Sequence, residues 1–102
     1  MTQVVKLNEE SLSVALATLP MWKREEQWIV RRYRFASFMD AIAFVNHIAE
    51  QAEAFVHHPL ISIDYKHVTL RLTTWHASGL TELDIQSARA ADAHYDEATD
   101  PA

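Results

Sequence analysis

Apolar residues recur along this chain with two different periods, and the switches between them divide it into seven segments. Asn8 is placed to cap a first helix running from about Glu9, in which Leu12, Ala15, Leu16 and Leu19 share one face before Pro20 closes it. Met21-Trp22-Lys23 leads into a charged turn at Arg24-Glu25-Glu26. The stretch from Gln27 to Phe35 is then rich in aromatic and branched residues and reads as a strand, giving a hairpin from Trp22 to Phe35. Ser37 and Asp40 have capping-box spacing, after which Phe38, Ala41, Ile42, Val45, Ile48, Ala49 and Ala52 return at helical intervals. Pro59 drives His58 towards an extended backbone, so this central helix ends near His57.

Beyond Pro59 the period changes to two. Ile61, Ile63 and Tyr65 alternate with Ser62 and Asp64 in a strand from Leu60 to Tyr65. Lys66-His67 forms the turn, and Val68, Leu70 and Leu72 then alternate with Thr69, Arg71 and Thr73. Continued regularly, that alternation puts Trp75 on the face of Thr73 and Arg71 and His76 on the opposite one. Gly79, the only glycine, precedes Leu80 and Thr81. Thr81 with Asp84 repeats the capping-box spacing before a last helix through Ile85, Ala88, Ala91 and Tyr95, with the tail after Asp96 frayed. The order α-β-β-α-β-β-α predicts an α+β fold in one domain, residues 1–102, with a four-stranded antiparallel sheet and three helices on one of its faces.

Composition narrows the chemistry. A chain of 102 residues buries roughly two thirds of the surface its unfolded form exposes, enough for an apolar core. The absence of cysteine excludes disulfides and thiolate metal sites and fits a reducing compartment. Met1 to Lys6 contains no apolar signal core, and no apolar run reaches the roughly 20 residues of a membrane span, so a soluble, cytoplasmic protein is expected. A net charge of -5 argues against nucleic acid as a partner. The local exception, Arg31-Arg32-Tyr33-Arg34, reads as a charged edge strand that deters edge-to-edge aggregation. Trp22 and Trp28 read as core or interface anchors.

The chemistry is concentrated in Glu53-Ala54-Phe55-Val56-His57-His58-Pro59, where two adjacent imidazoles follow a carboxylate by one helical turn at a helix exit. Imidazole both gives and takes a proton near neutral pH, so the pair suits acid and base work on one small substrate. A zinc cluster of His57, His58, His67 and His76 fits no standard ligand spacing, and no metal is expected. His67, in a turn, and His47, on a helix, read as exposed residues.

The ordered set of Glu53, His57-His58-Pro59, Tyr65, Trp75 and Asp84 resembles the pterin-4a-carbinolamine dehydratase signature, and the likeness extends from roughly Trp22 to Tyr95. The resemblance implies removal of water from 4a-hydroxytetrahydrobiopterin to give the quinonoid dihydropterin, without metal or organic cofactor. It implies His57 as the main acid/base, and His58 binding the hydroxyl and assisting proton transfer. Pro59 joins that edge of the pocket, and Thr74-Trp75-His76-Ala77 forms the opposite wall around the pterin. Glu53, on the helical face of His57, is expected to orient that imidazole. Well-known members of the family carry a third histidine where this chain has Trp75, and the family pattern accepts either. Trp75 can stack on a flat ring but cannot act as a base.

Asp84 reads first as a helix-capping carboxylate and second as a catalytic one; Tyr65 reads first as a core residue and second as a neighbour of the site. The resemblance also implies at least a homodimer joined edge to edge through the Leu60 to Tyr65 strand or its neighbour, with pairing into homotetramers through helices. Two other functions stay open: a dehydratase acting on another pterin, and a non-catalytic protein-binding or dimerisation module of the kind an animal member provides to a homeodomain transcription factor.

Overall fold

The computed structural model describes residues 5–99. Helix α1 covers Glu9–Ala17, and its N-terminal amides are capped as the sequence requires, Asn8 Oδ1 accepting from the Ser11 amide at 2.8 Å. Strands β1 (Lys23–Glu25) and β2 (Trp28–Arg34) form the first hairpin. Helix α2, Phe38–Phe55, starts with Ser37 Oγ accepting from the Asp40 amide at 3.1 Å. It stops at Val56, whose left-handed backbone closes the last turn. Strands β3 (Leu60–Asp64) and β4 (His67–Leu72) form the second hairpin. A short 3-10 helix, Trp75–Ala77, and helix α3, Glu82–Thr99, complete the order.

The strands make a four-stranded antiparallel sheet ordered β1-β2-β4-β3. Ile29 pairs with Leu72 and Tyr33 with Val68, which puts the apolar sides of β2 and β4 on the same face. There Ile29, Tyr33, Val68, Leu70 and Leu72 form the core with Leu12 of α1, Ala41, Phe44 and Ile48 of α2, and Ile85, Ala88 and Ala91 of α3. The α+β arrangement with the helices on one face is the one the hydrophobic pattern predicts. A polar hub crosses this core: Asp92 of α3 accepts from the Tyr33 hydroxyl (2.6 Å), Arg31 Nη1 (2.7 Å) and the Trp22 indole (3.0 Å).

Several local expectations are corrected. The arginine-bearing strand is interior in the strand order, but β1 pairs only with its Trp28–Val30 part, so Arg31 to Arg34 have β4 on one side and no paired strand on the other. What the edge reading does not foresee is that Arg31 turns inward to Asp92, with its guanidinium 4.3 Å from the Tyr33 ring centre. The outer strands of the sheet are β1 and β3. Tyr65 is no core residue: it is 64% exposed and occupies the turn with Lys66 in a left-handed conformation, one residue earlier than the expected Lys66-His67 turn. The Ile61 and Ile63 row belongs to an edge strand that no helix covers, so the apolar alternation continues past the core. Helix α3 does not fray after Asp96 but runs to Thr99. The alternation argument for Trp75 and His76 fails because both lie in the 3-10 helix, where a period of two has no meaning.

Candidate active site

Val56 is a β-branched residue at φ 51°, a conformation that L side chains with branched Cβ adopt only under constraint. The His57 amide bonds back to the Ala52 carbonyl at 3.0 Å, so the chain reverses tightly and the His57 ring turns beneath the helix end. His57 is 8% exposed, whereas His58 beside it points to solvent. The second wall begins where β4 ends. Thr74 is buried and bridges to Gly79, and Ser78 closes the 3-10 helix at φ 58°. Two strained residues thus bracket the segments that carry the candidate chemistry.

The two walls are joined by Asp84, which is 0% exposed. Its Oδ1 lies 2.7 Å from His57 Nε2, and its Oδ2 accepts from the Thr74 hydroxyl at 2.8 Å and the Thr81 amide at 2.9 Å. These bonds offset the cost of removing a carboxylate from water. The proton positions follow by elimination. A carboxylate only accepts, so His57 Nε2 donates to it, and in the neutral form of the ring the lone pair is on Nδ1. Thr74 spends its one proton on Asp84, so the Thr81 hydroxyl donates to Thr74 across 2.8 Å and accepts from the Leu83 amide at 3.2 Å. Asp84 therefore caps α3 and orients His57 together; capping and site chemistry are not alternatives here.

Glu53 is placed differently from the expectation. Its Oε2 lies 2.5 Å from His58 Nε2, not on His57, and both groups are exposed. Each imidazole therefore has its own carboxylate, one buried and one in solvent. Pro59 is half-buried between His58 and the start of β3, Ala77 is half-buried, and Trp75 and His76 are exposed. Tyr65 sits at the far end of β3, roughly 20 Å along the strand from Pro59, and is not brought to this site within the chain.

A cleft of about 200 Å³ opens beside Thr74, between Gln27, Trp28, Trp75, Ser78 and Gly79. The Trp28 and Trp75 rings meet edge-to-face, 5.0 Å between centres at 82°. A larger cavity, about 700 Å³, lies at the opposite end of the strands against Phe35, Phe44 and Tyr95 and is lined by none of the candidate site residues. The sequence reading missed Trp28 and Thr81. Thr81 was visible as the first residue of a capping box, but its hydroxyl relay needs Thr74 beside it. Trp28 reaches the site only through the β2–β4 register.

Comparison with known proteins gives a consistent picture. Residues 5–94 match the family model described as pterin 4 alpha carbinolamine dehydratase. A Chloroflexus aurantiacus protein, provisionally named a pterin-4-alpha-carbinolamine dehydratase, is 49% identical over 87 residues, covering 85% of this chain and 94% of its own. A Thermomicrobium roseum protein with the same provisional name is 44% identical over 86 residues, covering 84% and 92%. The crystal structure of a transcriptional coactivator/pterin dehydratase from Brucella melitensis superposes with a TM-score of 0.85 at 34% identity, covering 88% of this chain and 98% of that one. A pterin dehydratase-like RuBisCO assembly factor of the alpha-carboxysome shares the fold, with a TM-score of 0.52 at 20% identity, covering 79% and 89%.

Proposed function

The chain belongs to the pterin 4 alpha carbinolamine dehydratase family, and from that premise we propose that it removes water from 4a-hydroxytetrahydrobiopterin to give the quinonoid dihydropterin for recycling. The observation that carries this reading is the buried His57–Asp84 pair, which leaves Nδ1 of the imidazole as a fixed proton acceptor.

In the proposed reaction the C4a–O bond breaks, the departing hydroxyl takes a proton and leaves as water, and the proton on N5 is removed as the C4a–N5 double bond forms. His57 Nδ1 takes the N5 proton, with Asp84 holding the ring and stabilising the imidazolium that results. His58, with Glu53 beside it, stands in solvent and delivers the proton to the leaving hydroxyl. Net passage of one proton from His57 to His58 through water resets the pair. Pro59 and the Thr74 to Ala77 wall hold the ring, with Trp75 against its plane. Asp84 enters this scheme as a positioning residue rather than a proton carrier, and Glu53 is reassigned from His57 to His58.

The same family premise supports a homodimer, with β3 as the joining edge. That strand has an unpaired side, and Leu60, Ile61 and Ile63 are all exposed on it. The test of the activity is dehydration of the carbinolamine generated in situ by an aromatic amino acid hydroxylase, comparing this protein with His57→Ala and Trp75→His. Loss of acceleration in His57→Ala supports the reading. Failure of the unmutated protein to exceed the spontaneous rate removes this substrate from it.

A further inference from the structure

We propose that Trp28 and Trp75 wall a specificity pocket for the substituent carried by the pterin ring, and that this pocket selects a short, uncharged one; the proposal rests on the dehydratase reading above. Trp75 is 73% exposed, and an indole that open to solvent has little packing to choose among its rotamers. Its edge-to-face contact with Trp28 supplies the missing constraint. Trp28 is itself half-buried on β2, beside Ile29, which is fully buried and paired with Leu72. The next residue outwards, Gln27, is tied to the sheet by the Thr73 hydroxyl, which donates to its carbonyl at 2.5 Å. A rigid strand therefore holds one indole and, through it, the other.

The cleft beside this pair has a volume of about 200 Å³. With about 30 Å³ as the share of one water in the liquid, it holds on the order of half a dozen non-hydrogen atoms. That is too small for a bicyclic pterin with its exocyclic groups and sufficient for a three-carbon side chain bearing two hydroxyls. None of the residues lining it is ionisable, and Lys6 lies against Gly79 with its Cε 2.7 Å from the position a Cβ there would take. The Thr73 and Thr74 hydroxyl protons are already committed, to the Gln27 carbonyl and to Asp84. The Gln27 amide and the Ser78 hydroxyl make no side-chain hydrogen bond among the described residues, and these two are the side-chain donors available to hydroxyls of an occupant, with the Thr73 oxygen free to accept. Thr74 belongs both to the cleft and to the network that fixes His57, so an occupant of the cleft lies next to the proposed chemistry.

The test pairs the side chain with the substituent. Dehydration kinetics are measured for the unmutated protein, Trp28→Leu and Trp28→Phe on the carbinolamines of tetrahydrobiopterin, of tetrahydropterin lacking the 6-substituent, and of tetrahydrofolate with its long anionic tail. Far-ultraviolet circular dichroism confirms that each variant is folded. The unmutated protein is expected to favour the biopterin form over both others. Trp28→Leu is expected to lower kcat/KM for the biopterin form about five- to twentyfold, mainly through KM, with a loss at least about threefold smaller for the unsubstituted form. Trp28→Phe, which retains an aromatic edge, should recover most of the difference. Equal losses on the substituted and unsubstituted forms would overturn the proposal, leaving Trp28 a structural role only. Turnover of the folate form as fast as the biopterin form would overturn the selection by size and charge. Acceleration of none of the three by the unmutated protein would instead remove the dehydratase reading itself, and this proposal with it.

Discussion

Asp84→Asn changes one atom in the buried network and reverses the polarity of its most important bond. In the unmutated protein Oδ2 accepts from the Thr74 hydroxyl and the Thr81 amide, and Oδ1 accepts from His57 Nε2 at 2.7 Å. Asparagine has one oxygen, and the two donors at the Oδ2 position claim it, so its amide nitrogen must face His57. That nitrogen donates. His57 Nε2 then has to accept, the ring proton moves to Nδ1, and the lone pair proposed to take the N5 proton disappears. Loss of a correctly placed base, together with the carboxylate that stabilises the imidazolium, is expected to lower kcat by about 10²- to 10⁴-fold. Stability falls much less, by about 1–3 kcal/mol, because the amide keeps the cap on α3 and only the charge-assisted bond is lost. Two measurements separate these effects: steady-state dehydration of 4a-hydroxytetrahydrobiopterin, and long-range ¹H–¹⁵N correlation spectra reporting which nitrogen of His57 carries the proton. A folded Asp84→Asn protein with kcat within about threefold of the unmutated one, or with His57 still protonated at Nε2, would refute the reasoning.

Thr74→Val keeps the shape but removes the donor to Asp84 and the acceptor for Thr81; a loss of about 1–3 kcal/mol in urea denaturation is expected, with weaker turnover. Burial, then the Asp92 carboxylate, raises the pKa of Tyr33 above the ordinary tyrosine range. With the folded-state pKa above the unfolded one, its contribution to stability is whole below about pH 10 and declines above it as the unfolded chain ionises first. Tyr33→Phe should therefore be less stable near neutrality yet lose less further stability between about pH 10 and 11, as thermal melts across that range would report. Ile63→Lys on the exposed β3 edge is expected to leave a monomer of about 11.7 kDa in sedimentation equilibrium where the unmutated protein gives a dimer.

The fold could be read from the sequence because its pattern and its caps agree. Asn8, Ser37 and Thr81 mark helix starts that the structure keeps, and the alternation in β4 matches buried Val68, Leu70 and Leu72. The errors arose where one period was extended beyond its element. Ile61 and Ile63 share the core-facing register of β4, but β3 lies at the sheet margin, and sequence alternation cannot tell an edge from a centre. Likewise the inward turn of Arg31 could not be read, because its partner Asp92 is distant in sequence. For the candidate site, His57, His58 and the Thr74 to Ala77 segment are named through the family resemblance, whereas the pairing of carboxylates with histidines could not be read from the sequence. Glu53 is on the helical turn before His57, yet the left-handed Val56 rotates His57 away to Asp84 and leaves His58 for Glu53.

The most direct test follows the decay of 4a-hydroxytetrahydrobiopterin in stopped flow at increasing concentrations of the protein and of His57→Ala. The expected result is a first-order rate that rises in proportion to the unmutated protein and stays at the buffer rate with His57→Ala. Decay at the buffer rate in both, or equal acceleration by both, would contradict the claim that the buried His57–Asp84 pair drives the dehydration.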